Sequence, residues 1–596
     1  SIDGYDTEAL GGKFVDVGRF FNQNWSPVDP SYNGKQYWYM YGARTVDRYN
    51  PNFLNERENF FHKPLVNLNH FWKINEEMRL STVAYWSGGS GGGTGTYGKI
   101  PTLDADGNLG DDDYKFYYGR SPWTRDWNAL IAMNSGDSDT VYVDKRALVR
   151  THGEGNNQSV GILRNSINRQ NTYGVISKLN YDVSDELELQ FGIDWRTAGI
   201  EHAREVRDLM GGDYYMDYAD DNYADGKRVE LGDIIAYHNS TTVDWIGGFV
   251  QGNYTKDKLN LFGMGGLTSI KYSYQDHFTV ANEVVKADAI STVQFKGGAH
   301  YDIDDNVSIF GNAGYVEKPP IMDNVIYYDG TVASDPSNEK YISTEAGVNF
   351  KSENFAVKAG VYNTDWKDRN LTKSVTTGQG DSGDTDVIFL SGIEQNHKGL
   401  EIEADTKLSD MLSLNAAVSL GTWKFAGDAS GNYQEDEYND EGQVIGQTTT
   451  PYDYALDGLF VGDMPQTSYV LGGTLTPVKG LQVSGIYKMY DKNYSDWSPG
   501  AREYDGSDAD ADREQVWQAP GYTKMDLHAY YNLPMQVAGT NLQVFFHAFN
   551  LGDAVYIQDA VDNSQYNAHD KDHDSDSAEV FFGIPQYFNM GLTVRF

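Results

Sequence analysis

From Asn59 to the last residue, apolar and polar positions alternate with a period of two. In the terminal stretch, Phe588, Met590, Leu592, Val594 and Phe596 fall on one side, and Asn589, Gly591, Thr593 and Arg595 on the other. Leu187, Leu189, Phe191, Ile193 and Trp195 likewise oppose Glu188, Gln190, Asp194 and Arg196. Leu400, Ile402 and Ala404 oppose Glu401, Glu403 and Asp405. Period two means β-strands with one face against an apolar medium and one face wet. No stretch carries a convincing 3.6-residue period.

Connection lengths sort the strands into pairs. Short polar turns such as Asn75-Glu76-Glu77, Ser184-Asp185, Lys256-Asp257-Lys258, Asp304-Asp305-Asn306 and Ser409-Asp410 alternate with long segments near 88–170, 200–243, 427–464, 497–520 and 553–583. Short turns at one end and long loops at the other, with apolar faces outward and polar faces inward, describe an all-β transmembrane antiparallel β-barrel of the outer membrane. Arg196, Lys296, His300, Glu401, Glu403, His528, His547 and Arg595 then line the lumen. The alternation gives about seventeen strands. The first, near residues 59–73, ends at a short turn and so descends from outside. Residues 1–58, rich in turn formers, are expected to be an extracellular loop region, with residues 59–596 forming the barrel and its long extracellular loops. An odd count that starts outside implies an odd number of strands before Ser1, since single-chain bacterial barrels have even counts.

Composition narrows the partners. The 43 Tyr, 26 Phe, 12 Trp and 63 Gly fit strands and turns. With no Cys, a disulfide scaffold, a zinc-thiolate site and a cysteine nucleophile are excluded. Forty-seven basic against 86 acidic residues give a net charge of −39, which excludes nucleic acid as a partner because phosphate binding needs basic clusters. Nothing resembles a nucleophile held against its base, so no enzyme is expected.

Four segments carry a resemblance: "ENFFHKPLVNLNHFWKINEEMRLSTVAYWSGGSGGGTGTYG", "EKYISTEAGVNFKSENFAVKAGVYNTDWKDRNLT", "QNHKGLEIEADTKLS" and "EVFFGIPQYFNMGLTVRF". Together they resemble the barrel of TonB-dependent outer-membrane receptors, most similar to those of Bacteroidetes-type bacteria. The resemblance implies a 22-stranded barrel filled by a plug. About seventeen visible strands would leave about five outside this chain. Neither plug nor TonB-contacting segment is visible here; both are expected before Ser1. It also implies import of a scarce solute, most commonly a ferric siderophore, with a glycan or peptide next. Implied partners are outer-membrane lipid and lipopolysaccharide, the TonB complex through the plug, and a surface lipoprotein. A plugless porin and an adhesive barrel are the other readings.

Candidate chemistry lies in the loops. His202, Arg204 and Arg207 precede Tyr214 and Tyr215, a basic–aromatic patch suited to an anionic or aromatic ligand; the alternative is salt bridging to neighbouring carboxylates. Asp104, Asp106 and Asn108 stand at calcium-loop spacing, but Leu109 holds the place of the required Gly. Asp508, Asp510 and Asp512 repeat the spacing, with Arg513 in that place. His569, Asp572 and His573, in "HDKDHDSD", combine imidazole and carboxylate as a borderline divalent metal prefers. No cofactor is required; Ca²⁺ or another divalent cation in the acidic loops is the candidate. The run Ser87–Gly98 lacks the Lys and the helix of a phosphate loop and is expected to be a flexible loop base.

Overall fold

The structure is a computed structural model that describes residues 24–39, 42–103, 124–135, 140–143, 146–149, 157–327, 329–334, 336–375, 386–438, 444–504, 507, 510–537, 539–564 and 572–595. Its centre is one antiparallel sheet, which Val284–Lys286, Ala429–Tyr438, Val444–Tyr454 and Glu503–Tyr504 extend at the loop end and in which seventeen strands follow one another around the wall among the described residues. In chain order they are β1 (Asn59–His62 with Leu65–Lys73), β2 (Met78–Gly98), β3 (Gly161–Asp182), β4 (Leu187–Asp208), β5 (Ile234–Lys256), β6 (Leu259–Asp276), β7 (Ile290–Asp302), β8 (Val307–Lys318) and β9 (Glu339–Lys351). They continue as β10 (Phe355–Val375), β11 (Asp386–Lys407), β12 (Leu412–Phe425), β13 (Thr467–Val478), β14 (Leu481–Asp491), β15 (Tyr522–Val537), β16 (Thr540–Phe549) and β17 (Tyr587–Arg595). Each strand pairs antiparallel with the next one in the chain.

Register fixes the two faces. Leu179, Phe191 and Val250 form one row across β3, β4 and β5, and Asn180, Gln190 and Gln251 form the row behind it. The apolar row points outward; in the polar row Gln190 Nε2 donates to Asn180 Oδ1 at 2.7 Å. Leu267, Leu471 and Met590, at 59%, 59% and 76% exposure, belong to the same outward band. These are core-type side chains left on the outside of the sheet.

The ring is traced from β17 to β1, yet among the described residues no register joins these two, as one joins every other neighbouring pair. Every residue from Leu65 to Lys73 is exposed, and so are most of Tyr587–Arg595. The odd count explains the seam. With each neighbour antiparallel, the first and seventeenth strands run the same way, and an antiparallel ladder cannot form between them. Closing both edges antiparallel takes an odd number of further strands.

The long connections fold into lobes at the other end. Trp25–Pro27 pairs with Phe53–Asn55, and Lys35–Tyr39 with Ala43–Asp47. Residues 24–58 therefore hold short strands that their turn-rich sequence did not announce. They pack with a helix, Trp127–Ser135, around Leu54, Trp127, Leu130 and Met210. Period analysis misses this helix because Trp127, Ala129, Leu130, Met133 and Asn134 are all buried, leaving no polar stripe. A second lobe surrounds Leu390, Phe425, Tyr454, Leu456 and Trp497. Ser87–Gly98 is not a loop base. It is the upper half of β2, laddered to β3 along its whole length and to Asn59–His62 below Thr94. Backbone hydrogen bonds hold it extended where the glycines offer no side chains.

In the last lobe, Arg502 and Asp562 are fully buried and form an ion pair at 3.2 Å. His573 closes the network, with Nδ1 2.6 Å from Asp562 and Nε2 2.7 Å from Asp512. Burial opposes protonation of His573. Hydrogen bonds to Asp562 and Asp512, and the charge of Asp562, outweigh burial and the repulsion of Arg502, so its pKa lies above the ordinary imidazole value. A raised imidazole pKa gives stability that is full below about 6.5 and is lost as pH rises through the folded-state value.

Two measurements test these features. In refolding titrations into lipid, Val250→Arg costs about 2–4 kcal/mol, the expected range for a cation near the bilayer midplane, whereas Gln251→Arg changes stability by less than about 1 kcal/mol. In hydrogen exchange corrected for intrinsic rates, protection of residues 557–564 and 572–582 falls as pH rises past the ordinary imidazole value and through the raised one of His573, and His573→Gln removes that pH dependence.

Candidate functional site

The inner wall at the loop end carries a shelf of cations and tyrosines. The upper part of β2 builds its floor. Gly89, Gly91, Gly93 and Gly95 all face the lumen, as their register with Gln170, Asn168, Ser166 and Arg164 fixes. At Gly95 the bare backbone is required: a Cβ there would lie 2.7 Å from Arg164 Cζ, so the guanidinium rests flat on the strand.

Two irregularities aim the side chains. The ladder of β3 with β4 shifts between Leu163 and Arg164, which makes Arg207 an extra residue. The ladder of β4 with β5 shifts between Ala203 and Arg204 and leaves Ala236 and Tyr237 unpaired, Ala236 at φ +65°. Bulges of this kind re-aim side chains. Arg204 ends with its guanidinium carbon 5.9 Å from the Tyr97 ring centre and 5.0 Å from that of Tyr237. Arg164 Nη1 donates to Ser166 Oγ at 2.9 Å and to the Gly93 carbonyl at 3.2 Å. The Nε of each arginine is buried without a hydrogen-bond partner, and neither forms an ion pair among the described residues. Beside them opens a cavity of about 480 Å³ lined by Phe61, Lys63, Ser166, Asn168, His202 and Tyr237.

A hairpin of two short strands, Tyr215–Asp217 and Lys227–Val229, roofs the shelf. Val229 packs with Ile162, Val206 and Ile235, and the Tyr215 ring meets Tyr97 edge-on at 5.7 Å. Asp217 is buried beneath the hairpin. Burial raises its pKa to about 6, against the opposing hydrogen bond from Ala236 N and the charge of Lys227.

Of the residues singled out by sequence, His202, Arg204 and Tyr215 come together here. Arg207 and Tyr214 do not. Arg207 is 1% exposed, pairs with Glu58 at 2.9 Å and stacks on Trp38, in the salt-bridged role its acidic surroundings allowed. Tyr214 instead lies under Arg228, 4.1 Å from ring centre to guanidinium. Arg164, Tyr97 and Tyr237 were not anticipated: all three lie in segments read as long loops, and all three depend on register.

The metal candidates separate. Asp104, Asp106, Asn108, Asp508 and His569 lie outside the described residues. Asp572 sits with Asp574 and Asp576, their carboxylate oxygens within 4.8 Å of one another. His573 does not join them, because both of its ring nitrogens face Asp562 and Asp512. Asp512 thereby serves the Arg502–His573 network and not a cation loop with Asp510.

Comparison with known proteins completes the description. Residues 3–551 match the family described as TonB dependent receptor-like, beta-barrel. No curated protein matches the chain. Among solved structures, it is similar to the ferric-catecholate import receptor Fiu of E. coli K12, at 10% identity and TM-score 0.52, over 91% of this chain and 65% of that one. It is similar to the ferric yersiniabactin uptake receptor FyuA of Yersinia pestis, at 12% identity and TM-score 0.51, over 90% and 62%. The copper transporter OprC is similar at 11% identity and TM-score 0.53, over 92% and 67%. At such identities the likeness is one of fold, and the chain spans 65% and 62% of the lengths of Fiu and the ferric citrate transporter FecA. With the family matched over nearly the whole chain and the antiparallel barrel in place, the protein belongs to the TonB-dependent receptor β-barrel family.

Proposed function

We propose that this barrel is the outer-membrane part of a receptor-transporter of the bacterial surface that captures a scarce solute at its outer mouth and imports it, with a ferric siderophore as cargo. One observation carries the reading. In a chain of net charge −39, two half-buried arginines, Arg164 and Arg204, face the lumen without carboxylate partners among the described residues, beside Tyr97 and Tyr237 and over a glycine floor. Such a shelf suits an anionic chelate with planar rings: guanidinium groups pair with its oxygens, and Tyr97 and Tyr237 flank its rings. Acidic loops around a local cationic shelf repel anions that cannot reach it.

Under this reading TonB supplies the work through a plug. The unpaired seam, and the shorter span of this chain beside solved receptors, support a plug and an odd number of further strands. Lipid and lipopolysaccharide surround the apolar band, and a surface lipoprotein is a further partner.

A glycan cargo is the second reading, favoured by aromatic platforms lower on the inner wall. Tyr341 and Trp366 lie 4.9 Å apart with a 30° interplanar angle, Trp423 stacks on His397, and Trp423 Nε1 donates to Tyr362 Oη at 3.0 Å.

Titration of the purified protein with ferric catecholate chelates, followed by tryptophan fluorescence, separates the readings. Saturable binding is expected. Arg164→Gln and Arg204→Gln should each weaken it roughly 10- to 100-fold, from the loss of about 1.5–3 kcal/mol of charge-assisted hydrogen bonding. Binding of neutral oligosaccharides but not of chelates transfers the assignment to glycan import. The intact mass of the detergent-extracted natural protein should exceed the 66.7 kDa of this chain. A mass equal to it, with open-channel conductance in planar bilayers, replaces the plugged receptor with a porin.

A further inference from the structure

On the far side of the sheet from the shelf, β15 and β16 place two histidines directly opposite each other. His528 and His547 are register partners, and their Nδ1 atoms lie 2.9 Å apart. Both point into the lumen, since Ala529 and Phe546, the neighbouring pair, belong to the outward row with Met590. We propose that this cross-strand pair is a transition-metal site that chelates a tetragonal divalent ion, copper(II) above all, through the two Nδ1 atoms.

The spacing is compatible with two cis ligands of one metal ion. Imidazole nitrogens bind divalent first-row ions at about 2.0–2.1 Å. Two nitrogens 2.9 Å apart then subtend about 90° at the ion, the cis angle of a square-planar or tetragonal centre. Without metal, a single proton bridges the pair: one Nδ1–H donates and the other Nδ1 accepts. On metal binding the donating ring gives up its Nδ1 proton to solvent and takes one at Nε2, so that both neutral rings offer an Nδ1 lone pair to an ion lying to one side of the line between them. Copper(II) is the preferred occupant because it binds nitrogen ligands most tightly among these ions and favours this geometry.

The surroundings hold both rings in place. Phe545 stacks on His547 at 5.3 Å, and Phe549 meets His528 edge-on at 5.4 Å. Tyr530 meets His547 edge-on at 5.3 Å. Phe545 itself lies across Gly591, where a Cβ would be 2.4 Å from its Cζ. Rings fixed this way lose little freedom when metal binds. The nearest carboxylate on this face, Asp526, is committed to Lys488 at 2.7 Å and to Asn550 N at 2.9 Å. It adds no third ligand, so the remaining coordination positions open to the lumen, for water or for donor atoms of a passing solute. The site is independent of the arginine shelf and of the cargo it takes.

The test is titration of the full chain in detergent with copper(II) sulfate, followed by calorimetry and electron paramagnetic resonance. One tightly bound ion with an axial spectrum and two equatorial ring nitrogens is expected. His528→Gln and His547→Gln should each lower affinity tenfold or more, and Asp574→Asn, in the separate carboxylate cluster, should leave it unchanged. A wild-type spectrum with one ring nitrogen or none overturns the proposal without reference to any variant. So does unchanged affinity in a folded His528→Gln protein.

Discussion

In hydrocarbon a backbone N–H or C=O finds no water, so each one must find another strand. That requirement organises the whole molecule. It makes a chain of low apolar content fold as a single sheet, with sixteen ladders between consecutive strands. It also explains why the glycine-rich half of β2 stays extended beyond Trp86: pairing on both sides substitutes for side-chain packing. Once the ladder carries the stability, the inward side chains are free to vary, and function resides there.

The two inward features draw on the ladder differently. At the shelf, the ladder breaks. Bulges lie beside Arg164 and Arg204, and the two half-buried guanidinium groups sit next to the apolar cluster of Ile162, Val206 and Ile235. At the histidine pair, the ladder is regular, and its regularity brings His528 and His547 face to face. Irregular pairing thus builds a broad recognition surface, and regular pairing a narrow chelating one.

Much of this is legible in the sequence. Alternation alone marks the strands, their faces and their odd number, and it assigns His528 and His547 to the inner wall. The basic–aromatic run yields His202, Arg204 and Tyr215. What escapes is whatever depends on which strand lies beside which, and in what register. Arg164 comes within reach of Arg204 because the register sets Ser166, its neighbour on the same face, opposite Arg204; Tyr237 lies in the stretch that drops out of the next ladder. Arg207, itself the extra residue where the β3–β4 ladder shifts, turns to the opposite face and meets Glu58 and Trp38. His573 looked like a ligand because its neighbours in sequence are aspartates, yet its partners in space, Asp512 and Asp562, come from elsewhere in the chain.

The seam between β17 and β1 has an energetic meaning. Along a nine-residue edge, roughly half of the residues turn both backbone groups sideways, so the two edges together present on the order of eighteen donors and acceptors. Left bare in hydrocarbon at several kcal/mol each, they would cost tens of kcal/mol, more than the net stability of an ordinary folded protein. The sheet therefore cannot rest in a bilayer with that slit uncovered. A cover for both edges would be as much a condition of stability as the sixteen ladders, and if it paired antiparallel on both sides the like polarity of the two edges would make its strand number odd.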